Sequence, residues 1–272
     1  MYKIKVYSIR KGDKNLDRKK FQNMFTEIDD FLLGAICDDI ELCEEIDYPV
    51  YSKYFYPPQL CKKISELNIG GIVFSLCGLN EECEKNMIGV LPKDFPKEEL
   101  YFPVKYFKIT NKSKFKDLEH KHYLGTIMSL GIKRELMGDL IVEENSCYGV
   151  ISDEIFDFLV ENLKEVGRNP VLVEEINKEE IPQLKFEEIV DSVSSIRLDN
   201  IVSAMINNSR SRALELIESG EVSVNYLIEK EKNRGLKEGD IITIRKKGKF
   251  IFDKVLGENK KGKIRVLIKK FI

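Results

Sequence analysis

The residues best equipped for chemistry stand toward the carboxyl end. Ser209-Arg210-Ser211-Arg212 sets two guanidinium groups and two hydroxyls at the start of a helix expected over 210–219. A helix start carries unpaired backbone N–H groups and the positive end of the helix dipole, so it already favours an anion. Arginine suits phosphate because its planar fork donates two hydrogen bonds together. Arg197 begins the preceding helix and can meet the same backbone, and Arg245-Lys246-Lys247-Gly248-Lys249 adds a basic hairpin. This is the chemistry of holding a polyanion, not of breaking a bond. Each element also has a plainer reading: Arg197 with Asp199 ties the domain together, and the lysine hairpins are solvated edges.

Groups suited to catalysis or metal binding are sparse. His120 and His122, the two histidines of the chain, lie two apart near a helix start and cannot both face one metal from a regular helix. Capping, packing or RNA contact suits them better. The six cysteines (37, 43, 61, 77, 83 and 147) form no CxxC pair and have apolar neighbours such as Ile36, Leu42 and Leu60. They read as reduced, buried thiols. Asp139 and Asp153 sit in no catalytic motif, and no Gly-rich loop for S-adenosylmethionine follows a strand. No catalytic residue, metal or cofactor is nominated. Lys133 and Arg134, after a helix stop at Gly131, form a second pair of polyanion candidates; the alternative is a loop charge pair with Glu135.

The elements that must position these groups are legible from periodicity. After a strand-like start around Ile4, Val6 and Ser8, an apolar stripe (Phe21, Met24, Phe25, Ile28, Phe31, Leu32, Ala35, Ile36) predicts a helix over about 16–45. Asp13 or Asn15 is its expected cap and Asp47-Tyr48-Pro49 its end. A second helix is expected over 58–67, then a hairpin of 72–74 with 87–90. Strands at 103–109, 139–142, 147–151 and 171–176 alternate with helices at 117–130 and, capped by Ser152, to about 166. That is β-α-β-β-α-β, the ferredoxin-like order, which by itself licenses no function. Asn177–Leu184, with Pro182, reads as the linker. Beyond it, Ser194 or Ser195 is the expected cap of a helix carrying Leu198, Ile201, Val202 and Met205. A second helix stopped by Gly220 follows, and a small sheet from 222–226, 241–245, 250–255 and 264–268. The expected fold class is α+β. Residues 1–69 form an amino-terminal helical region, 70–178 a ferredoxin-like (RRM-like) domain, 179–187 a linker, and 188–272 a small α+β domain.

Composition agrees with this. The 272 residues suffice for about two domains of ~100–200 residues each. With 43% hydrophobic and 33% charged residues the chain reads as soluble and globular. No apolar run approaches the ~18–20 residues of a membrane span, and Met1–Lys14 lacks the apolar core and cleavage site of a signal peptide. A cytoplasmic protein without membrane partners is expected. The net charge of −2 hides an asymmetry: residues 185–272 carry +6 and the rest −8. A basic terminal domain on an acidic body suggests that the terminal domain meets a polyanion.

In order, Arg197-Leu198-Asp199, Ser209-Arg210-Ser211-Arg212-Ala213, Leu216-Ile217, Gly220-Glu221-Val222-Ser223-Val224-Asn225 and Glu238-Gly239-Asp240-Ile241-Ile242 strongly resemble the RNA-binding domain named after ribosomal small-subunit protein four, the S-four domain. The resemblance spans about 194–245 and implies RNA contact by Arg197, Ser209, Arg210, Arg212 and Asn225. Where that family often has Gly after the asparagine, this chain has Tyr226. Upstream, His120-Lys121-His122-Tyr123-Leu124-Gly125, Leu130–Glu135, Gly138–Val142 and Val166-Gly167-Arg168 resemble the bacterial YlmH family, whose order is an RRM-like domain and then an S-four domain. Departures are Lys121-His122 for the usual Arg-Asp, and the reduced elements Cys77-Gly78-Leu79 and Cys83-Glu84-Lys85. The resemblance implies a non-enzymatic protein that binds ribosomal RNA and tRNA on the large ribosomal subunit; a monomer is the expected state. It further implies a role in rescue of stalled nascent chains, with protein partners in ribosome rescue or cell division. Two other readings stand beside it: an RNA-modifying enzyme anchored by the S-four domain, and an adaptor for the division machinery using the aromatic amino-terminal helix.

Overall fold

The computed structural model describes residues 18–25, 28–65, 67, 69–113 and 118–272, and the chain divides into two units between Gln183 and Leu184. The strand expected near Ile4 and the caps at Asp13 or Asn15 lie outside the described residues. The helix expected over 16–45 is two helices, α1 (Arg18–Asn23) and α2 (Asp30–Ile46). One apolar stripe runs through both, but Asp29 accepts a hydrogen bond from the Phe31 N–H (2.9 Å) and caps a new helix. Phe25 and Ile28 are buried between the two. Left-handed Asp47 (φ 50°) ends α2 where expected.

β1 (Val50–Tyr56), α3 (Pro58–Ile64), β2 (Ile72–Cys77) and β3 (Asn86–Pro92) follow. β2 and β3 form the expected antiparallel hairpin, with Phe74 opposite Val90. The other edge of β3 pairs with β1, Phe55 opposite Met87, and the sheet order is β1-β3-β2. A core of Phe21, Leu33, Ile36, Ile40, Tyr56, Leu60 and Ile88 joins this sheet to the helices. The division expected at residue 69/70 therefore runs through a sheet, and the hairpin belongs with the amino-terminal helices.

The next elements are β4 (Val104–Asn111), α4 (His120–Ser129), β5 (Met137–Glu143), β6 (Ser146–Ser152), α5 (Phe156–Asn162), β7 (Glu165–Val166) and β8 (Asn169–Ile176). The order of the sheet is β5-β6-β4-β8-β7: the ferredoxin-like arrangement with β7 as an added edge. α4 and α5 cover one face over Phe107, Ile109, Tyr123, Ile127 and Leu159. Asp117, the expected start of α4, is outside the described residues; α4 begins at His120 with a capping box in which the Glu119 N–H donates to His122 Nδ1 (2.9 Å). Ser152 does not cap α5, because a 3-10 turn over Asp153–Ile155 intervenes.

Part of the opposite sheet face is covered as well. Phe55, Leu79 and Met87 pack on Val150, with Val104, Tyr106 and Ile141 beside them. The 77–86 loop is latched to the same sheet. Asp139 Oδ2 accepts from the backbone N–H groups of Glu84 (2.5 Å) and Lys85 (2.9 Å), and the Tyr106 hydroxyl donates to the Gly78 carbonyl (3.3 Å). A Cβ on Gly78 would lie 2.1 Å from Cys83 Sγ, so only glycine fits there.

The second unit opens with β9 (Phe186–Val193), a strand that sequence periodicity did not announce and that begins inside the expected linker. α6 (Leu198–Met205), α7 (Arg210–Glu218), β10 (Val222–Val224), β11 (Leu227–Ile228), β12 (Asp240–Ile244), β13 (Gly248–Glu258) and β14 (Ile264–Phe271) follow. The strands form one antiparallel sheet, β11-β10-β12-β13-β14-β9, with β9 paired along β14. The helices pack on it through Leu198, Ile201, Val202, Ala213, Leu216 and Ile217, over Val222, Val224, Phe250 and Phe252. Neither Ser194 nor Ser195 caps α6: Arg197 occupies that position without a side-chain cap, and Ser195 Oγ instead accepts from the Asn200 amide (2.8 Å). Left-handed Asn207 (φ 47°) turns the chain toward α7, and Gly220 (φ 74°) stops it.

Candidate nucleic-acid interface

Asp199, in the first turn of α6, is fully buried, and the site is built on it. One of its oxygens, Oδ2, accepts from Arg197 Nη2 (2.9 Å), from Arg210 Nε (2.8 Å) and from Arg210 Nη2. The other accepts from the Asn200 backbone N–H (3.0 Å). Burial by itself pushes the Asp199 carboxyl up, but the hydrogen bonds from Arg210 and Arg197 prevail and hold it below the usual carboxylate range. One anion thus braces two cations and leaves a net charge of +1. The guanidinium side chains remain 36% (Arg197) and 54% (Arg210) exposed. Both readings of Arg197 and Asp199 meet here: the pair ties α6 to α7 and, in doing so, aims Arg210 at solvent.

Ser209 caps α7 by accepting from the Arg212 N–H (3.3 Å), and Ser211 is exposed beside it. Arg212 pairs with Glu215 three residues on (2.6 Å), with both side chains half or more exposed. Such pairs are worth ~0.2–1 kcal/mol, so Arg212 is readily released to a phosphate. Asn225 is committed elsewhere. Its amide donates to Asp240 Oδ1 (2.9 Å) and its oxygen accepts from the Ile241 N–H (3.1 Å), fixing the two-residue turn between β10 and β11. Asn225 and Tyr226 both take left-handed backbone (φ 50° and 70°), so Tyr226 keeps the turn that glycine usually makes.

The basic hairpin stands apart from these arginines. Arg245, Lys246 and Lys247 are exposed at the β12–β13 turn, and the Arg245 N–H donates to the Glu221 carbonyl, just beyond the far end of α7 (2.9 Å). At ~1.5 Å per residue, the nine residues of α7 separate the two groups by about 13 Å. Lys249 is not at the tip: its ammonium lies over the rings of Phe271 (4.2 Å) and Tyr226 (5.6 Å). A groove of about 570 Å³ beside the hairpin sets Lys247 and Lys270 against Glu187 and Asp191, a mixed lining that does not select a polyanion.

In the ferredoxin-like domain the expected pair is split. Lys133 is exposed, but Arg134 turns inward and donates from Nη1 to the carbonyls of Met137 and Gly138 (both 2.8 Å). Burial lowers its pKa, and the two carbonyls give Arg134 a packing role in the structure. His120 packs near Arg134 and Asp139, and burial lowers its pKa. Burial pushes the thiols up, Cys43 to about 11 and Cys61 to about 12, which is the opposite of an activated nucleophile. Among the described residues no group of three or more His, Cys, Asp or Glu is arranged to hold a metal. Sequence reasoning paired Asp199 with Arg197 but missed that the same carboxylate also holds Arg210; the signal was an acid flanked by Arg197 and Arg210 in a unit otherwise rich in base.

Comparison with known proteins now bears on this geometry. The family model described as "Putative RNA-binding domain in YlmH" matches residues 96–180, and that of the S4 domain matches residues 196–242. A relative from Bacillus subtilis (strain 168), "Ribosome-associated protein quality control protein P2", is 31% identical over 198 residues, covering 72% of this chain and 76% of its own. A solved structure, "Cell division protein ylmH from Streptococcus pneumoniae", is 23% identical with a TM-score of 0.43, covering 62% of this chain and 96% of that one. That likeness is too loose to add to the argument. The extent of the Bacillus match and the two domains in this order carry the conclusion: the chain belongs to the YlmH family of RNA-binding proteins.

Proposed function

We propose that this protein is a clamp on structured RNA. It holds ribosomal RNA and tRNA at the large ribosomal subunit during quality control of stalled nascent chains, and it acts by binding rather than catalysis. One observation carries the reading: a buried carboxylate braces Arg197, at the start of α6, and Arg210, at the start of α7, where Arg212 is only weakly tethered. Two exposed guanidinium groups at a helix start grip the phosphate backbone, and the shape of the RNA supplies the specificity. The name of the Bacillus relative supports the ribosomal setting. We take the protein to be cytoplasmic and monomeric; among the described residues no helix is long and apolar enough to cross a membrane.

Co-sedimentation with purified large subunits across a salt series tests the clamp. Arg210→Ala combined with Arg212→Ala removes two phosphate contacts, so the slope of log affinity against log salt falls by about 1.4–1.8. An unchanged slope in the folded variant removes these arginines from the interface. Wild type that fails to sediment with subunits even at low salt refutes the ribosomal reading.

A further inference from the structure

The face that RRM-like domains offer to solvent is partly closed here, because Phe55, Leu79 and Met87 cover the sheet around Val150. A different concavity is open. Two segments that the clamp does not use, His120–Gly125 and Val166–Arg168, meet across a cleft of about 230 Å³ between α4 and the β7–β8 turn. We propose that this cleft binds one unstacked nucleotide of single-stranded RNA, a second contact that rests on the RNA-binding function argued above.

The lining fits that ligand. Leu118 and Val166 give an apolar floor for a base ring, and Gly125 and Gly167 let it approach the backbone. Gly125 is in the interior of α4, where alanine is the better helix former. A Cβ there would meet nothing within 4 Å, so packing does not demand the glycine. The rim is polar. His122 spends Nδ1 as the acceptor of the Glu119 N–H, which leaves Nε2–H as its donor. Thr126 gives its proton to the His122 carbonyl (2.9 Å) and keeps its oxygen as an acceptor for a sugar hydroxyl or base amine. Arg168 is exposed and makes no ion pair among the described residues, which leaves its fork for a phosphate. The Lys112 N–H donates to the Pro170 carbonyl (2.9 Å), which anchors one end of the connector from β4 at the same turn. The volume is below the ~300–1,000 Å³ of pockets that enclose whole small molecules. It suits one residue of a longer chain whose backbone stays outside.

The test uses the full-length chain and a ten-nucleotide unstructured RNA containing 4-thiouridine, read by binding titration and by mass-spectrometric mapping of photocrosslinks. Wild type and the Arg210→Ala/Arg212→Ala variant both crosslink within 118–126 or 166–169. Gly125→Leu, which fills the cleft with a strong helix former, abolishes those crosslinks. Arg168→Ala, an exposed change that leaves packing alone, weakens oligonucleotide binding about tenfold, the loss of one charge-assisted hydrogen bond. RNA that binds but crosslinks only elsewhere, or at these positions unaltered by Gly125→Leu and Arg168→Ala, overturns the cleft while the clamp stands. Wild type that binds neither this RNA nor ribosomal subunits refutes the RNA reading and the cleft with it.

Discussion

If the Asp199 brace aims the arginines, neutralising it harms RNA binding even though it makes the surface more positive. The perturbation is Asp199→Asn, close to isosteric. In the wild type both guanidinium groups donate to one carboxylate oxygen, and the Asn200 N–H donates to the other. A charge-assisted hydrogen bond contributes ~1.5–3 kcal/mol and a neutral one ~1 kcal/mol. Downgrading the bonds of two arginines, and setting an amide N–H₂ against the Asn200 N–H, costs about 2–3 kcal/mol. The ~3–5 kcal/mol of a stranded buried charge does not apply, because the 36% and 54% exposed guanidinium side chains regain water. For a unit the size of 184–272, each kcal/mol lowers the melting temperature by about 4–8 °C, so calorimetry shows its transition about 10–20 °C lower. Binding, measured well below that transition at physiological salt, weakens about tenfold. A surface that worked by net charge alone would bind RNA more tightly with one acid fewer. Tighter binding, or a melting shift under about 2 °C, refutes the brace.

Other expectations follow from the same geometry. The folded Asp199 carboxyl is held below its unfolded value, so the stability it contributes is present above pH ~4 and is lost as pH falls through the folded pKa; the wild-type second unit loses melting temperature between pH 5 and 2 more steeply than Asp199→Asn. Asn225→Ala removes two hydrogen bonds and places alanine at φ 50°, so urea denaturation shows a loss of about 2 kcal/mol in that unit. Gly149→Ala sets a Cβ 2.3 Å from Phe107 Cζ and 2.7 Å from Leu140 Cδ2, so overpacking destabilises the first unit by about 1–3 kcal/mol in the same assay. Gly125→Ala, with open space around the added methyl, instead stabilises that unit by about 0.5–1 kcal/mol; destabilisation there would mean that α4 needs the glycine for packing.

Local pattern carried the middle domain and the two helices of the second unit, because their apolar residues repeat at helical or strand spacing between clear stops such as Gly131 and Gly220. Elements defined by distant partners stayed hidden. Val50–Tyr56 is a strand because β3 pairs with it, and Phe186–Val193 because β14 does; four of the eight β9 residues are exposed, so its periodicity is faint. The break at Asp29 was masked by a stripe that continues through both helices. For the site, composition located the bases but could not orient them. Arg134 and Arg210 look alike in sequence. Two backbone carbonyls draw the first inward, and one buried carboxylate turns the second out.

The latch between Asp139 and the 77–86 loop bears on how the chain can be cut. Residues 96–180, the span of the RRM-like family match, look like a self-sufficient fragment. Its sheet, however, would be born with Val150 and Ile141 stripped of Phe55, Leu79 and Met87, and with Asp139 missing the amides it binds. Such an excised piece carries a bare apolar face of the kind that drives self-association. The amino-terminal layer and the ferredoxin-like sheet lie in one compact unit and share this packing, so they are expected to open together. Amides on β3 and β6 are expected to exchange with deuterium together, and truncations that keep the amino-terminal core whole start no later than α1, whose Phe21 is buried in it.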